Sequence, residues 1–260
     1  HGRLADIMIR HTKSDPAVAA TLPPKQRQLV RVEPTLNLQT IPSGVNFNSE
    51  SVSWGLRRAA GVKIAPAAEM ALDALAGGTE RVLVFTYMVA HAKEIAALIK
   101  VNAAKYGFVP EVYCATGKES IDYRRNTAKV FNTRAPAVYV ATMDAVGVAV
   151  SLHGATRVIF ADIDYVPEKM LQAEDRAHRI GVASSVLISY LVSRGGLDDH
   201  GASLVGDKLN QRRAILGTDA NADDLANTIS TRRSGAEILE ELKAIVARID
   251  ETRSAWGDRE

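Results

Sequence analysis

Gln172, Arg176 and Arg179 are the residues whose types and spacing carry the clearest chemistry in this chain. If residues 168–180 are helical, the three fall at i, i+4 and i+7 and share one face. Two guanidiniums and an amide on one helical face can grip a phosphate group, because each guanidinium is a planar fork of donors that keeps its charge. The plainer alternative is a solvated helix in which Asp175 and Arg179, four residues apart, make an ordinary salt bridge. Pro167 suits the first turn of this helix, where a missing N–H costs little, and Gly181 stops it.

Two apolar runs flank the helix, Val158–Ala161 before it and Val186–Val192 after it. The same alternation extends upstream. Val82–Thr86, Val109–Cys114 and Ala137–Ala141 read as buried strands, and 90–105 and 119–132 as helices between them. Residues 199–216 read as a closing helix. Strand–helix units of about 30 residues imply a parallel sheet covered on both faces, a RecA-like or a Rossmann-like lobe. The pattern does not choose between the two, but no Gly-x-Gly-x-x-Gly follows the first strand, which weakens the Rossmann reading. Ligands of such sheets sit beyond the carboxyl ends of the strands, so the loops after Thr86, Cys114, Ala141 and Ala161 are the ones to inspect.

Composition bounds the rest. The chain has 260 residues, 47% hydrophobic and 24% charged, as in an ordinary globular protein. A net charge of +2 means that any contact with nucleic acid comes from a local patch rather than from global basicity. The single cysteine, Cys114, excludes an internal disulfide, suggests a reducing compartment and reads as a packing residue. No apolar run approaches the roughly 18 residues of a membrane span, and no signal peptide is visible. The chain begins with His1 rather than Met and reads as a fragment with sequence upstream. There is no Gly-x-x-x-x-Gly-Lys-Ser/Thr phosphate loop, no Asp-Glu-x-His motif and no Gly-x-Ser-x-Gly elbow, and the six histidines do not group with Cys114.

The stretch Gln172-Ala173-Glu174-Asp175-Arg176-Ala177-His178-Arg179-Ile180-Gly181 resembles motif VI of superfamily 2 helicases, and its longer form is similar to the Swi/Snf family of DNA-dependent ATPases. The resemblance is strongest to the branch that holds the annealing helicases with phage and bacterial relatives. Further matches occur in order along the chain. Residues 9–33 resemble the segment that joins the two motor lobes, with Arg10 and Lys13, then Leu22-Pro23-Pro24-Lys25 and a strand-like Gln28–Glu33 read as an edge strand; His11 stands where the family has a second arginine. Leu56-Arg57-Arg58-Ala59-Ala60-Gly61-Val62-Lys63 resembles a motif of the same branch, with the lysine one residue early. Val82–Tyr87 resembles motif IV, 142–152 motif V, and Gly195–Asp199 the family's final-helix start.

The resemblance implies the carboxyl-terminal RecA-like lobe of an ATP-dependent DNA helicase or translocase, a P-loop NTPase-type fold that lacks the P-loop. It implies residues 1–78 as an interlobe segment with a helical insertion, 79–216 as the lobe, and 217–260 as a polar linker (217–224) with an amphipathic helix over 236–249. Arg176 and Arg179 would be catalytic, facing ATP held with Mg2+ mainly on a first lobe upstream, and Gln172, Asp144 and Gly147 would line the nucleotide. Thr86, Tyr87, Gly117, Lys118, Thr142 and Met143 would meet duplex or forked DNA. This lobe alone is expected not to hydrolyse ATP. The implied partners are DNA, the first lobe and, for the 236–249 helix, either this protein's own surface or another protein. The implied location is the cytoplasm of a bacterial or phage-infected cell, or a eukaryotic nucleus. The competing possibility, from a different class, is a non-catalytic nucleic-acid-binding or docking module built on the same fold.

Overall fold

A computed structural model describes residues 20–33, 61–146, 150–179, 185–193, 197–216 and 220–229. Six parallel strands form one sheet: β1 (Lys25–Val32), β2 (Arg81–Thr86), β3 (Glu111–Ala115), β4 (Ala137–Thr142), β5 (Arg157–Phe160) and β6 (Val186–Ser193), in the spatial order β1-β6-β5-β2-β4-β3. The central strands are buried over nearly their whole length. Val82–Thr86 and all of Ala137–Thr142 are shielded from solvent, as expected of continuous apolar runs in a sheet covered on both faces.

The covering helices divide by face. Helix α1 (Ile64–Leu75) and α2 (Val89–Asn102) pack with Val82, Val84, Val138, Val140 and Ile159 on one side. On the other, α3 (Ile121–Phe131), α4 (Pro167–Ala177), α5 (Leu197–Leu216) and α6 (Ala220–Ile229) pack with Leu83, Phe85, Tyr139, Phe160 and Tyr190. Strand alternation alone produces this division, since neighbouring residues of one strand point to opposite faces. In α1 the buried Ile64, Ala67, Ala68, Ala71, Leu72 and Leu75 follow the helical period, and the N–H of Gly78, at φ 75°, donates to the Leu75 carbonyl to close the end. In α3 the Ser120 hydroxyl accepts from the Tyr123 N–H at 3.1 Å and caps the first turn.

Two sequence expectations change. The helix expected over 168–180 ends at Ala177. His178 takes φ −92° and ψ 90°, outside the helical region, while its Nε2 lies 2.8 Å from the Pro23 carbonyl, so the bond to the segment before β1 accompanies the break. The polar stretch expected to be a linker up to Asp224 is helical from Ala220, because Ala222, Leu225, Ala226 and Ile229 make an apolar stripe that covers the sheet. Strand β1, at the sheet's edge as expected, is hydrogen-bonded to β6 from Lys25 to Val32 and is thereby built into the same sheet as 81–193. The 236–249 helix, residues 9–19, 56–60 and 195–196, and Gly147 lie outside the described residues.

Candidate nucleotide and nucleic-acid faces

All six strands run the same way, so the sheet has a carboxyl edge and an amino edge. Helix α4 leaves the carboxyl edge after β5 and returns to the amino edge before β6. The sequence candidates therefore fall into two groups at opposite edges.

At the amino edge the end of α4 carries Arg176 and, two residues past the last turn, Arg179. Gln172 and Arg179 are exposed and Arg176 is half-buried. Arg179 is not on the helical face it was expected to share with Gln172 and Arg176, because the helix stops before it. The end of the helix is anchored: the Arg176 carbonyl accepts from the Leu152 N–H at 3.0 Å. Leu152 lies in a braced segment. Asn132 donates through Nδ2 to the Ser151 carbonyl at 2.9 Å and accepts at Oδ1 from the Gly154 N–H at 2.8 Å. Arg81 Nε donates to the Gly154 carbonyl at 2.7 Å. A Cβ at Gly154 would stand 2.7 Å from the Asn132 Cα, so the position has no room for a side chain.

The inner face of α4 holds a feature that spacing did not reveal. Glu174 is fully buried. Its carboxylate accepts from Arg27 Nε at 2.7 Å and Nη2 at 2.6 Å, a bidentate fork, and from Lys25 Nζ at 3.0 Å and the Tyr190 hydroxyl. Arg27 also donates to Asn221 Oδ1 at 2.6 Å and to the Asp224 carboxylate at 2.5 Å, both on α6. Burial by itself would raise the Glu174 carboxyl. The Arg27 hydrogen bonds and charge, with Lys25 behind them, outweigh it and hold the group below the ordinary carboxylate range. Burial and the Glu174 charge push the Tyr190 phenol well up.

At the carboxyl edge the expected DNA contacts separate by burial. Tyr87 is 63% exposed, and Gly117 and Lys118 are exposed. Gly117 takes φ 86°, which favours glycine in this turn. Thr86, Thr142 and Met143, named with the DNA contacts from sequence, are buried: Thr86 and Thr142 end β2 and β4, and Met143 follows in the turn. The Thr86 hydroxyl donates to Asp162 Oδ2 at 2.5 Å, and the same oxygen accepts the Tyr87 N–H at 2.8 Å. Asp162 thus fixes the turn that presents Tyr87. Behind it, the buried Lys63 lies 3.4 Å from Asp162 Oδ1 and 2.8 Å from Asp198 Oδ2, while Asp198 accepts from the N–H and hydroxyl of Ser193. Burial alone would lower the Lys63 ammonium, but the two carboxylates outweigh it and raise it. Lys63 stood in a quoted motif, yet neither its burial nor its partners were visible from it.

Asp144, expected with the nucleotide group, belongs to the carboxyl edge. It lies in a 3-10 turn, Asp144–Val146, and accepts from Lys169 Nζ at 2.9 Å, well away from the arginines at the other end of α4. Lys169 also faces Asp164 at 3.7 Å. The hydrogen bond that it donates to Asp144 and the charge of Asp164 raise its ammonium. Among the described residues no group of three histidine, cysteine, aspartate or glutamate side chains could hold a metal ion, and no helix is long and apolar enough to cross a membrane.

Comparison with known proteins gives consistent results. Residues 67–181 match the helicase conserved C-terminal domain. The chain is 31% identical over 217 residues to the SWI/SNF-related matrix-associated actin-dependent regulator of chromatin subfamily A-like protein 1 of Xenopus tropicalis, covering 78% of this chain and 22% of that protein. It is 29% identical over 248 residues to the DNA annealing helicase and endonuclease ZRANB3 of Bos taurus, covering 85% of this chain and 21% of that protein. This chain spans about a fifth of the length of these relatives. Among solved structures it resembles the Sulfolobus solfataricus SWI2/SNF2 ATPase core in complex with dsDNA, with a TM-score of 0.56 and 20% identity, over 93% of this chain and 55% of that one. The six-stranded parallel sheet with helices on both faces is the RecA-like fold of that core's carboxyl-terminal lobe.

Proposed function

On the premise that this chain belongs to the helicase conserved C-terminal domain family and is a relative of the SWI/SNF-related annealing helicases, we propose that it is the second motor lobe of an ATP-dependent DNA translocase. The observation that carries this reading is the disposition of α4. Its arginine end and the exposed Tyr87–Lys118 edge lie at opposite ends of one sheet, so one lobe can face a nucleotide and a DNA backbone at once.

The donor set at the arginine end suits a phosphate. Arg176 and Arg179 offer N–H donors with fixed positive charge, and Gln172 adds a neutral amide donor; the set fits a polyanion, not a cation. The magnesium ion is accordingly assigned to the first lobe upstream. What the bound nucleotide supplies is a transferable phosphoryl group whose negative charge spreads in the transition state. This chain's part is to bring Arg176 and Arg179 to that charge. An arginine so placed contributes roughly 10³–10⁵-fold in rate in known phosphoryl-transfer systems. Gln172 holds the cluster's orientation. Asp144, proposed with the nucleotide from sequence, sits with Lys169 at the carboxyl edge and on this reading belongs to the DNA side; Gly147 stays proposed with the nucleotide from sequence alone.

At the other edge Tyr87, Gly117 and Lys118 would meet phosphates and sugars, giving salt-dependent, weakly sequence-selective binding. Thr86, Thr142 and Met143 would support that edge from beneath. The division into 1–78, 79–216 and 217–260 is part of the same proposal, with β1 and α1 contributed to the lobe by the first segment.

The test is ATP hydrolysis by the protein carrying its upstream lobe, with and without duplex DNA, beside the present chain and the Arg179→Ala variant. The expected result is DNA-stimulated hydrolysis by the long form, none by the present chain, and none by the variant, whose DNA affinity stays close to the parent's. Hydrolysis that survives Arg179→Ala refutes the arginine assignment. A long form that binds DNA but never hydrolyses ATP makes the chain a binding module on a motor fold.

A further inference from the structure

The helicase domain match ends at residue 181, and most of what holds the arginine helix lies beyond its limits. Arg27 and Lys25 come from β1, Tyr190 from β6, and Asn221 and Asp224 from α6. All converge, directly or through Arg27, on one carboxylate of α4. Two residues along a helix turn it by roughly 200°. A pin at Glu174 on the sheet-facing side therefore sets the direction in which Arg176 leaves the opposite side. The fork from Arg27 resists rotation of the helix about its axis, because two parallel N–H···O bonds fix a plane as well as a distance. Of the Arg27 side chain only 1% is exposed, so water does not loosen the fork.

We propose that Glu174 is a positioning residue: the buried carboxylate through which β1 and α6 set the rotation of α4 and with it the aim of Arg176 at the nucleotide. This rests on the arginine reading given above. It also means that the arginine site is not complete within residues 67–181. A strand from the segment before the family domain and a helix from the segment after it close the site from behind. Asp224, with its side chain 59% exposed, is the outermost member and the one a partner or a mutation reaches first.

The experiment is steady-state, DNA-stimulated ATP hydrolysis by the protein carrying its upstream lobe, with kcat, KM for ATP, DNA affinity and Tm measured for each variant. Glu174→Gln keeps the shape and removes the charge. It is expected to lower kcat roughly ten- to hundredfold, as an arginine displaced by about an ångström would, with KM and DNA affinity within about twofold of the parent. A general loss of structure would move all of these together. Should Glu174→Gln fail to fold, the paired substitution Arg27→Met with Glu174→Met fills the same space and removes the buried fork as a unit, leaving Lys25, whose side chain is 10% exposed, as the remaining charge. It is expected to fold with the same selective fall in kcat. Asp224→Ala, at a position whose side chain is 59% exposed, is expected to show a smaller fall in the same sense.

Parent-like kcat in the folded Glu174 variants, or in Asp224→Ala if neither of those folds, overturns the proposal. Arg176→Ala is measured in parallel. If it is inactive while the Glu174 variants turn over normally, only the positioning role falls. If it is itself fully active, the arginine reading falls and takes this one with it.

Discussion

Lys63→Met tests the buried charge network at the carboxyl edge. The Lys63 ammonium is 2.8 Å from Asp198 and 3.4 Å from Asp162, and its side chain is 1% exposed. Methionine fills much of the same space, so the substitution removes charge while nearly preserving packing. Breaking a buried pair from one side costs about 3–5 kcal/mol, because the remaining charge is left uncompensated. Here two carboxylates are stranded, but each keeps other donors: Ser193 through its N–H and hydroxyl for Asp198, Thr86 and the Tyr87 N–H for Asp162. We therefore expect the lower end, about 3 kcal/mol at pH 7. That is a large fraction of the 5–15 kcal/mol that holds a typical domain together.

Urea denaturation of parent and variant across pH measures it. The sign of the pH effect follows from Lys63 itself. In the parent, the raised Lys63 ammonium contributes fully below its unfolded value of 10.5 and is lost only as pH rises through the higher folded value. A deficit below about 1 kcal/mol, the scale of an exposed ion pair, would refute the network's role. A deficit of the expected size that does not change with pH would show that methylene packing, not charge, had been lost.

Other outcomes follow from the same geometry. Gly154→Ala places a Cβ 2.7 Å from the Asn132 backbone and should cost about 1–3 kcal/mol, read as a lowered Tm. A parent-like Tm would mean that the 151–155 segment yields. The Glu174 carboxyl, held low in the folded chain, contributes stability that is present above its unfolded value of 4.5 and lost as pH falls through the lower folded value. Acid denaturation should accordingly be steeper in the parent than in the Arg27→Met, Glu174→Met pair, and equal slopes would contradict the assignment. Burial, with the Glu119 charge, raises the Cys114 thiol, so its reaction with an alkylating reagent should be slow at pH 7 and accelerate only on the alkaline side; rapid labelling at pH 7 would argue for an open β3 edge.

Much of the sheet is legible in the sequence because the central strands are uniform apolar runs with turn residues between them. Val82–Thr86, Ala137–Ala141 and Val186–Val192 each appear within a residue of the observed strand, and Pro167 marks the start of α4. The end of α4 was not legible. Ile180-Gly181 offers a natural stop, but the helix breaks earlier at His178, whose ring bonds to Pro23, 155 residues away. Long range is also why Glu174 escaped notice: its partner Arg27 is 147 residues distant, and on a helical wheel a lone glutamate reads as solvated. Helix α6 could have been found, since Ala222, Leu225, Ala226 and Ile229 keep the helical period beneath a polar composition. At the candidate site, the sequence named the arginines and Tyr87, Gly117 and Lys118, while their placement at opposite edges of the sheet came from the structure. Which strand-end side chains turn inward is decided by packing on two faces, and no local pattern records that.

The edge strand β1 has a consequence for how the chain is made. Lys25 pairs with Val186, so β1, once made, waits for 161 residues before β6, its neighbour among the described strands, exists. At typical synthesis rates that is roughly 10–30 s. Throughout this interval β1 is an unpaired strand at risk of joining another nascent chain. Its sequence, Lys-Gln-Arg-Gln-Leu-Val-Arg-Val, suits the wait. Charged and amide side chains fill all of its first half and discourage edge-to-edge association. Two of those charges, Lys25 and Arg27, are later buried against Glu174, so the groups that keep the strand solitary during synthesis become, on its arrival, the ones that lock it in place.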